Sequence, residues 1–267
     1  MPDSPVLVER DGHILIVTLN RPEKRNAINC QMMCLLADAW RMLDADDELR
    51  VAILTGVGST FCAGMDLVEI GLLRQPEPAN EWIARTRSDP TLISRGWLKT
   101  DVPAKPIILA AEGFARAGGT EILQGTTLRV AGESAVFGVT EVQRGLFPMM
   151  GSAVRLRRQI GYAVAAEMLL TGDDITAQRA YEVGLINYVV ADGEAVTKAK
   201  ELANRIAANG PVAVKAIAAT LRETECLPDA EAFPIEQKYG NAVMSSEDAR
   251  EGPLAFLEKR APQFKGR

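Results

Sequence analysis

The residues Ile14 to Leu19 form an unbroken apolar, β-branched run that stops at Asn20-Arg21-Pro22, which predicts a short strand. Val51 to Leu54 and Pro106 to Ala111 repeat that pattern, each followed by a small-residue turn and then apolar positions at helical spacing. Leu128 to Val130, Ala135 to Phe137 and Asn187 to Val190 are further short strand candidates. Elsewhere the period lengthens: Met32, Leu36, Trp40 and Leu43 share one face of a helix. Periodicity weakens between Gly71 and Val102, where Gln75-Pro76-Glu77-Pro78 and Asp89-Pro90 predict a flap or irregular helices. From Thr176, an N-cap residue, successive helices follow, broken sharply at Asn209-Gly210-Pro211. The alternation predicts an α/β chain of repeated strand-strand-helix units that ends in a helical layer.

Two of the turns carry candidate chemistry. After the strand at Ala111, the residues Ala117-Gly118-Gly119-Thr120-Glu121 lead into a helix beginning near Gly118, with Glu121 in its first turn. Free amides at a helix start favour negative charge, so this is either an anion site beside an ionisable acid or a packing turn with an ordinary helix-start glutamate. Phe61-Cys62-Ala63-Gly64-Met65-Asp66-Leu67 repeats the strand, turn and helix order. Two such turns brought together would offer two N–H donors to one oxygen. Glu141, just beyond the strand at Phe137, is a second acid candidate. Lys24 and Arg25 sit in a loop that either grips a phosphate or is simply solvated. Arg155, Arg157 and Arg158 predict a solvated helix face.

Composition narrows the classes. The 267 residues, 47% of them hydrophobic, can bury one sizeable core with an appendage or a subunit interface. A formal charge of −5 argues against a general nucleic-acid binder. The opening Met1-Pro2-Asp3-Ser4 has no basic or apolar leader pattern and no apolar run is long enough to cross a bilayer, so the expectation is a cytoplasmic protein without membrane insertion. Cys30, Cys34, Cys62 and Cys226 contain no Cys-x-x-Cys pair, and the lone His13 completes no familiar zinc spacing with them, so no metal site is expected. His13 begins a strand, and no Gly-x-Ser-x-Gly elbow is present. Any catalysis therefore falls to carboxylates and backbone dipoles.

Four segments taken in order, Leu19-Asn20-Arg21-Pro22-Glu23-Lys24-Arg25-Asn26-Ala27, Phe61 to Leu67, Gly118 to Glu121 and Phe137 to Glu141, resemble the enoyl-CoA hydratase/isomerase, or crotonase, family. The resemblance runs from about Val6 to Phe256-Leu257-Glu258-Lys259-Arg260-Ala261-Pro262. It implies a crotonase-like spiral of ββα units: a core with the active site over 1–195 and a helical C-terminal region, 196–267, for oligomerisation and pocket closure. It implies that the amides of Met65 and Gly118 form an oxyanion hole for an acyl-CoA thioester, with Ala63 and Leu67 along the adenine and pantetheine path. Lys24 or Arg25 would lie near CoA phosphates, and Phe256 or Lys259 would reach CoA, with a route across a subunit boundary open. The partners implied are the acyl-CoA substrate and further copies of the chain, as a homotrimer or dimer of trimers. No cofactor is implied, since CoA belongs to the substrate.

Glu121 and Glu141 match the family's two hydratase glutamates. The resemblance thus implies hydration of a 2-enoyl-CoA to a 3-hydroxyacyl-CoA, with Glu121 deprotonating water and Glu141 protonating C2. The alternatives are an enoyl-CoA isomerase or a non-catalytic CoA-thioester-binding protein. Met149 follows Pro148 where many of the family's hydratases have glycine, which places a bulky side chain near the acyl pocket, and Arg116-Ala117 replaces a commoner glycine-rich pair. Gly119 to Gly125, Val130 to Ala135 and Gly151 to Leu156 resemble actinobacterial enoyl-CoA hydratases of steroid side-chain breakdown, so the implied setting is fatty-acid or steroid side-chain β-oxidation.

Overall fold

The computed structural model describes residues 4–267; Met1, Pro2 and Asp3, part of the opening considered for a leader, lie outside the described residues. Strands β1 (Val6–Asp11), β2 (Ile14–Leu19), β3 (Val51–Gly56), β4 (Ile107–Ala111), β6 (Leu128–Gly132) and β9 (Tyr188–Val190) form a six-stranded sheet in the order β1-β2-β3-β4-β6-β9. Strands β5 (Phe114–Arg116), β7 (Val136–Gly138) and β8 (Ile175–Thr176) form a second sheet in the order β5-β7-β8. Only the β1-β2 pair of the large sheet is antiparallel. Each pass of the chain gives a strand to the large sheet, β4 and then β6, and the next to the small one, β5 and then β7. That repetition produces the spiral of ββα units.

The apolar runs are continuous because both faces of the large sheet are covered. Leu15, Val17 and Leu19 of β2 point into one core while Ile14 and Ile16 point into the other. In β3, Ala52 and Leu54 divide from Val51 and Ile53 in the same way. The first core is closed by α1 (Cys30–Ala45), whose predicted face Met32, Leu36, Trp40 and Leu43 is fully buried. Asn29 caps α1, accepting from Met32 N at 2.9 Å. The second core is closed by α9 (Ala195–Ala207) through Ala199, Leu202 and Ala203. The 195/196 division therefore falls one residue into a helix that belongs to the packed sheet.

The irregular helices expected between Gly71 and Val102 are found, and other local expectations change. The weakly patterned stretch contains α2 (Leu67–Leu73), α3 (Glu81–Ser88) and α4 (Thr91–Gly96), short helices with few buried positions and hence little periodicity to read. A strand, β5, intervenes between β4 and α5 (Gly118–Leu123), where the sequence pattern runs directly from strand to helix. Edge strand β1 escaped the pattern because Glu9, Arg10 and Asp11 are exposed. On α6 (Ser152–Gln159), Arg157 and Arg158 are solvated, but Arg155 is half-buried and donates to Leu98 O at 2.7 Å and to Lys99 O. The solvated-face expectation fails there because those two carbonyls need donors.

The chain continues through α7 (Tyr162–Thr171) and α8 (Ala177–Glu182), which Thr176 caps as expected. Beyond α9 come α10 (Pro211–Thr224), α11 (Asp229–Met244) and α12 (Glu247–Leu257). These helices leave Ile217, Leu221, Phe233 and Met244 largely exposed. Among the described residues no helix is long and apolar enough to cross a membrane.

Candidate active site

The site is built where the turns after β3 and β5 meet. The Asn20 to Ala27 segment acts first as a buckle. Fully buried Asn26 donates through Nδ2 to Val57 O at 3.0 Å and Thr60 O at 2.8 Å and accepts from Arg21 N, so the two loops are clamped together. Arg21 adds a 3.1 Å ion pair to Asp66, the N-cap of α2. Parallel bridges join Ile28 to Met65 and Cys62 to Ala115, holding the Phe61–Leu67 turn against β5. A Cβ on Gly64 would lie 2.9 Å from Ala117 Cβ and 3.1 Å from Gly118 N, so this approach requires glycine.

The two turns do converge. A Cβ built on Gly118 would sit 3.4 Å from Gly64 Cα and 2.6 Å from Trp97 Cη2. The amides of Met65 and Gly118 donate to no acceptor among the described residues. Ala117, between β5 and α5, has φ 49° and ψ −122°, a conformation that directs Ala117 N to Gly138 O at 2.8 Å and leaves Gly118 N free. An alanine there is strained, and the strain sits where a free amide is made.

Both acids reach the same cleft, of about 820 Å³. Glu121 is only 3% exposed, and its Oε1 accepts from Met150 N at 2.9 Å and Ser152 N at 3.1 Å. Burial outweighs those two donors, and with the neighbouring Glu141 charge pushes the Glu121 carboxyl up to about 7. Glu141 lies in the 3-10 turn Thr140–Arg144, with Oε2 buried and unpartnered among the described residues. Burial likewise raises its proton affinity. Two carboxyls that resist ionisation beside two unused amides can exchange protons with a substrate whose negative charge the amides stabilise.

Lys24, Arg25, Ala63, Leu67 and Met149 line the same cleft, as do the Met65 and Gly118 positions. Lys24, Arg25, Leu67 and Met149 are exposed, which puts them toward its rim, whereas Glu121 is deep. Phe256 and Lys259 are not among the residues lining the cleft of this chain. Phe256 is 82% exposed on α12, and Lys259 follows that helix. Sequence reasoning missed Trp97, which is buried against Gly118, because it lies in the stretch with little periodicity. Phe147, 65% exposed and lining the cleft, was also missed; an aromatic beside Met149 was the available signal. Among the described residues no cluster of His, Cys, Asp or Glu could hold a metal ion.

The chain is similar to known proteins over nearly its whole length. Enoyl-CoA hydratase EchA19 of Mycobacterium tuberculosis is 53% identical over 266 residues, spanning 100% of this chain and 97% of that protein. Short-chain-enoyl-CoA hydratase of Clostridium acetobutylicum is 34% identical, covering 98% of each. The crystal structure of an enoyl-CoA hydratase from Mycobacterium tuberculosis H37Rv superposes with a TM-score of 0.89 at 40% identity, over 99% of this chain and 100% of the other. The profile described as Enoyl-CoA hydratase/isomerase matches residues 9–267, which include the buckle, both amide turns and both carboxylates. This chain belongs to the enoyl-CoA hydratase/isomerase family and has the crotonase fold.

Proposed function

We propose that the protein is an enoyl-CoA hydratase that adds water across the 2,3 double bond of a 2-enoyl-CoA without a further cofactor. The observation that carries this reading is the pair of proton-retaining carboxyls, Glu121 and Glu141, in one cleft with the free amides of Met65 and Gly118. The thioester oxygen accepts from both amides. Water oxygen attacks C3 as Glu121 takes its proton, and the alkene electrons move through C2 to the thioester oxygen as an enolate. Two preorganised amides stabilise that charge by several kcal/mol, with removal of one donor typically costing about 10²–10³ in kcat. Glu141 then delivers its proton to C2, giving the 3-hydroxyacyl-CoA, and the two carboxyls return to their starting states by net proton transfer from Glu121 to Glu141.

Removing a proton from water and delivering one to carbon suits two groups, whereas moving a double bond can be done by one that shuttles a single proton. Retention of both carboxylates therefore supports hydration over isomerisation, and the strained Ala117 turn supports a working oxyanion hole over a non-catalytic binder. Exposed Lys24 and Arg25 suit the CoA phosphates, with Ala63 and Leu67 along the pantetheine path and Met149 at the acyl group. Phe256 and Lys259 reach CoA only from a neighbouring subunit in a homotrimer or dimer of trimers. The setting proposed is cytoplasmic β-oxidation of fatty-acid or steroid side chains.

The test follows loss of the conjugated-thioester absorbance over a panel of short, long and steroid enoyl-CoAs. Turnover to 3-hydroxyacyl-CoA by the wild type and its loss in Glu121→Gln are the expected results. CoA-thioester binding without turnover across the panel would overturn the reading.

A further inference from the structure

The Glu121 carboxylate is held by more than the two backbone amides. Ser152, which supplies one of them, is fully buried, and its side-chain hydroxyl is among the groups that favour the charged form of this carboxylate. Behind Ser152 stands Gln124, buried at the C-terminal end of α5 and not among the residues lining the substrate cleft. Its Nε2 donates to Thr120 O at 3.1 Å and to Ser152 Oγ at 2.7 Å. A carbonyl only accepts, so Thr120 O fixes which end of the Gln124 amide faces this way. The Ser152 oxygen is therefore an acceptor toward Gln124, and its single proton remains for another acceptor. Gln159 Nε2 fixes the same segment by donating to Gln124 O at 2.9 Å.

Gln124 Oε1 is buried without a partner among the described residues. An apolar side chain would fill that space without this cost, so the glutamine is not explained by packing. Neither Ser152 nor Gln124 lines the cleft, so neither meets the substrate.

We propose that Gln124 and Ser152 are positioning residues: Gln124 orients the Ser152 hydroxyl so that its proton points at Glu121, which fixes that carboxylate and sets how readily it ionises. This rests on the role given above to Glu121 as the base toward water. Other charged groups act on the same carboxylate. The 3-10 turn presents Glu141, which opposes ionisation, and α6 presents Arg155, which is electrostatically coupled to Glu121. At the end of α4 the neighbouring side chain is the neutral Trp97. Substituting Ser152 or Gln124 changes none of these charges, so a shift in titration reports the hydroxyl.

The experiment compares wild type, Ser152→Ala and Gln124→Leu by two readouts. The first is the pH dependence of kcat/KM; the second is the ¹³C-carboxyl NMR titration of Glu121, assigned with Glu121→Gln. Losing a donor to the charged form raises the midpoint, so the acidic limb and the NMR midpoint should both move up by roughly half to one pH unit in either variant. An NMR shift in protein that does not hydrate enoyl-CoA supports the relay while removing the hydratase reading. Midpoints that stay at the wild-type value in a folded variant, with turnover lowered equally at every pH, would overturn the relay.

Discussion

Glu121 places function and stability in opposition at a single residue. Its carboxyl is raised from 4.5 to about 7, so between those values the folded state holds a proton that the unfolded chain releases. The contribution of this group is fully favourable below pH 4.5 and is lost as pH rises through 7. Replacing Glu121 with Gln removes the penalty. Thermal or urea unfolding should show the variant gaining on wild type from pH 5 to pH 8, by up to about 3 kcal/mol. The same substitution should lower kcat for hydration by about 10²–10⁴, because the base toward water is gone. In the wild type, kcat/KM should rise as pH passes through about 7 and fall again where Glu141 gives up its proton. A profile that is flat from pH 5 to 9 would separate these carboxyls from the chemistry.

At the scale of elements, the amide turn explains why certain small residues are needed and one is tolerated at a cost. Gly118→Ala would drive a Cβ to 2.6 and 2.7 Å from the Trp97 ring, which is itself buried and cannot retreat. The expected result is a loss of about 1–3 kcal/mol in stability from overpacking. Displacing this amide donor should also lower kcat by about 10²–10³. Ala117 is the converse case: with φ 49° and ψ −122° it occupies a conformation suited to glycine. Ala117→Gly should raise the unfolding midpoint, by about 1 kcal/mol after the entropy of the extra glycine is deducted, as calorimetry would measure. The small-residue turns were legible in the sequence because tight turns demand particular residues. Their partner Trp97 was not, because it lies in a weakly periodic stretch and its contact with Gly118 is made across some twenty positions of chain.

For the whole molecule, the exposed apolar side chains of the last helices set the next expectation. Ile217, Leu221, Phe233, Met244, Phe256 and Leu257 are between 60% and 82% exposed, a concentration that a solitary chain has no need to present. Sedimentation equilibrium should give the mass of three or six chains. Leu257→Asp should shift it toward the single chain, and a wild-type mass of one chain would remove the proposed trimer. Phe256 and Lys259 were named from the family resemblance, and neither lines the cleft of this chain.

What the sequence determined by itself is everything governed by neighbours along the chain: the both-face-buried strands β2, β3 and β4, the apolar stripe of α1, the Thr176 cap, and the glycines that free an amide. The tertiary structure alone decided what meets across the chain. Asn26, beside Lys24 and Arg25, became a buckle between two loops, Arg155 turned inward to donate to the Leu98 and Lys99 carbonyls, and Glu121 acquired its high proton affinity from burial beside Glu141. Local pattern encodes backbone conformation and the burial of a face. The proton affinity of a side chain depends on desolvation and nearby charge, which exist only once distant segments have closed around it.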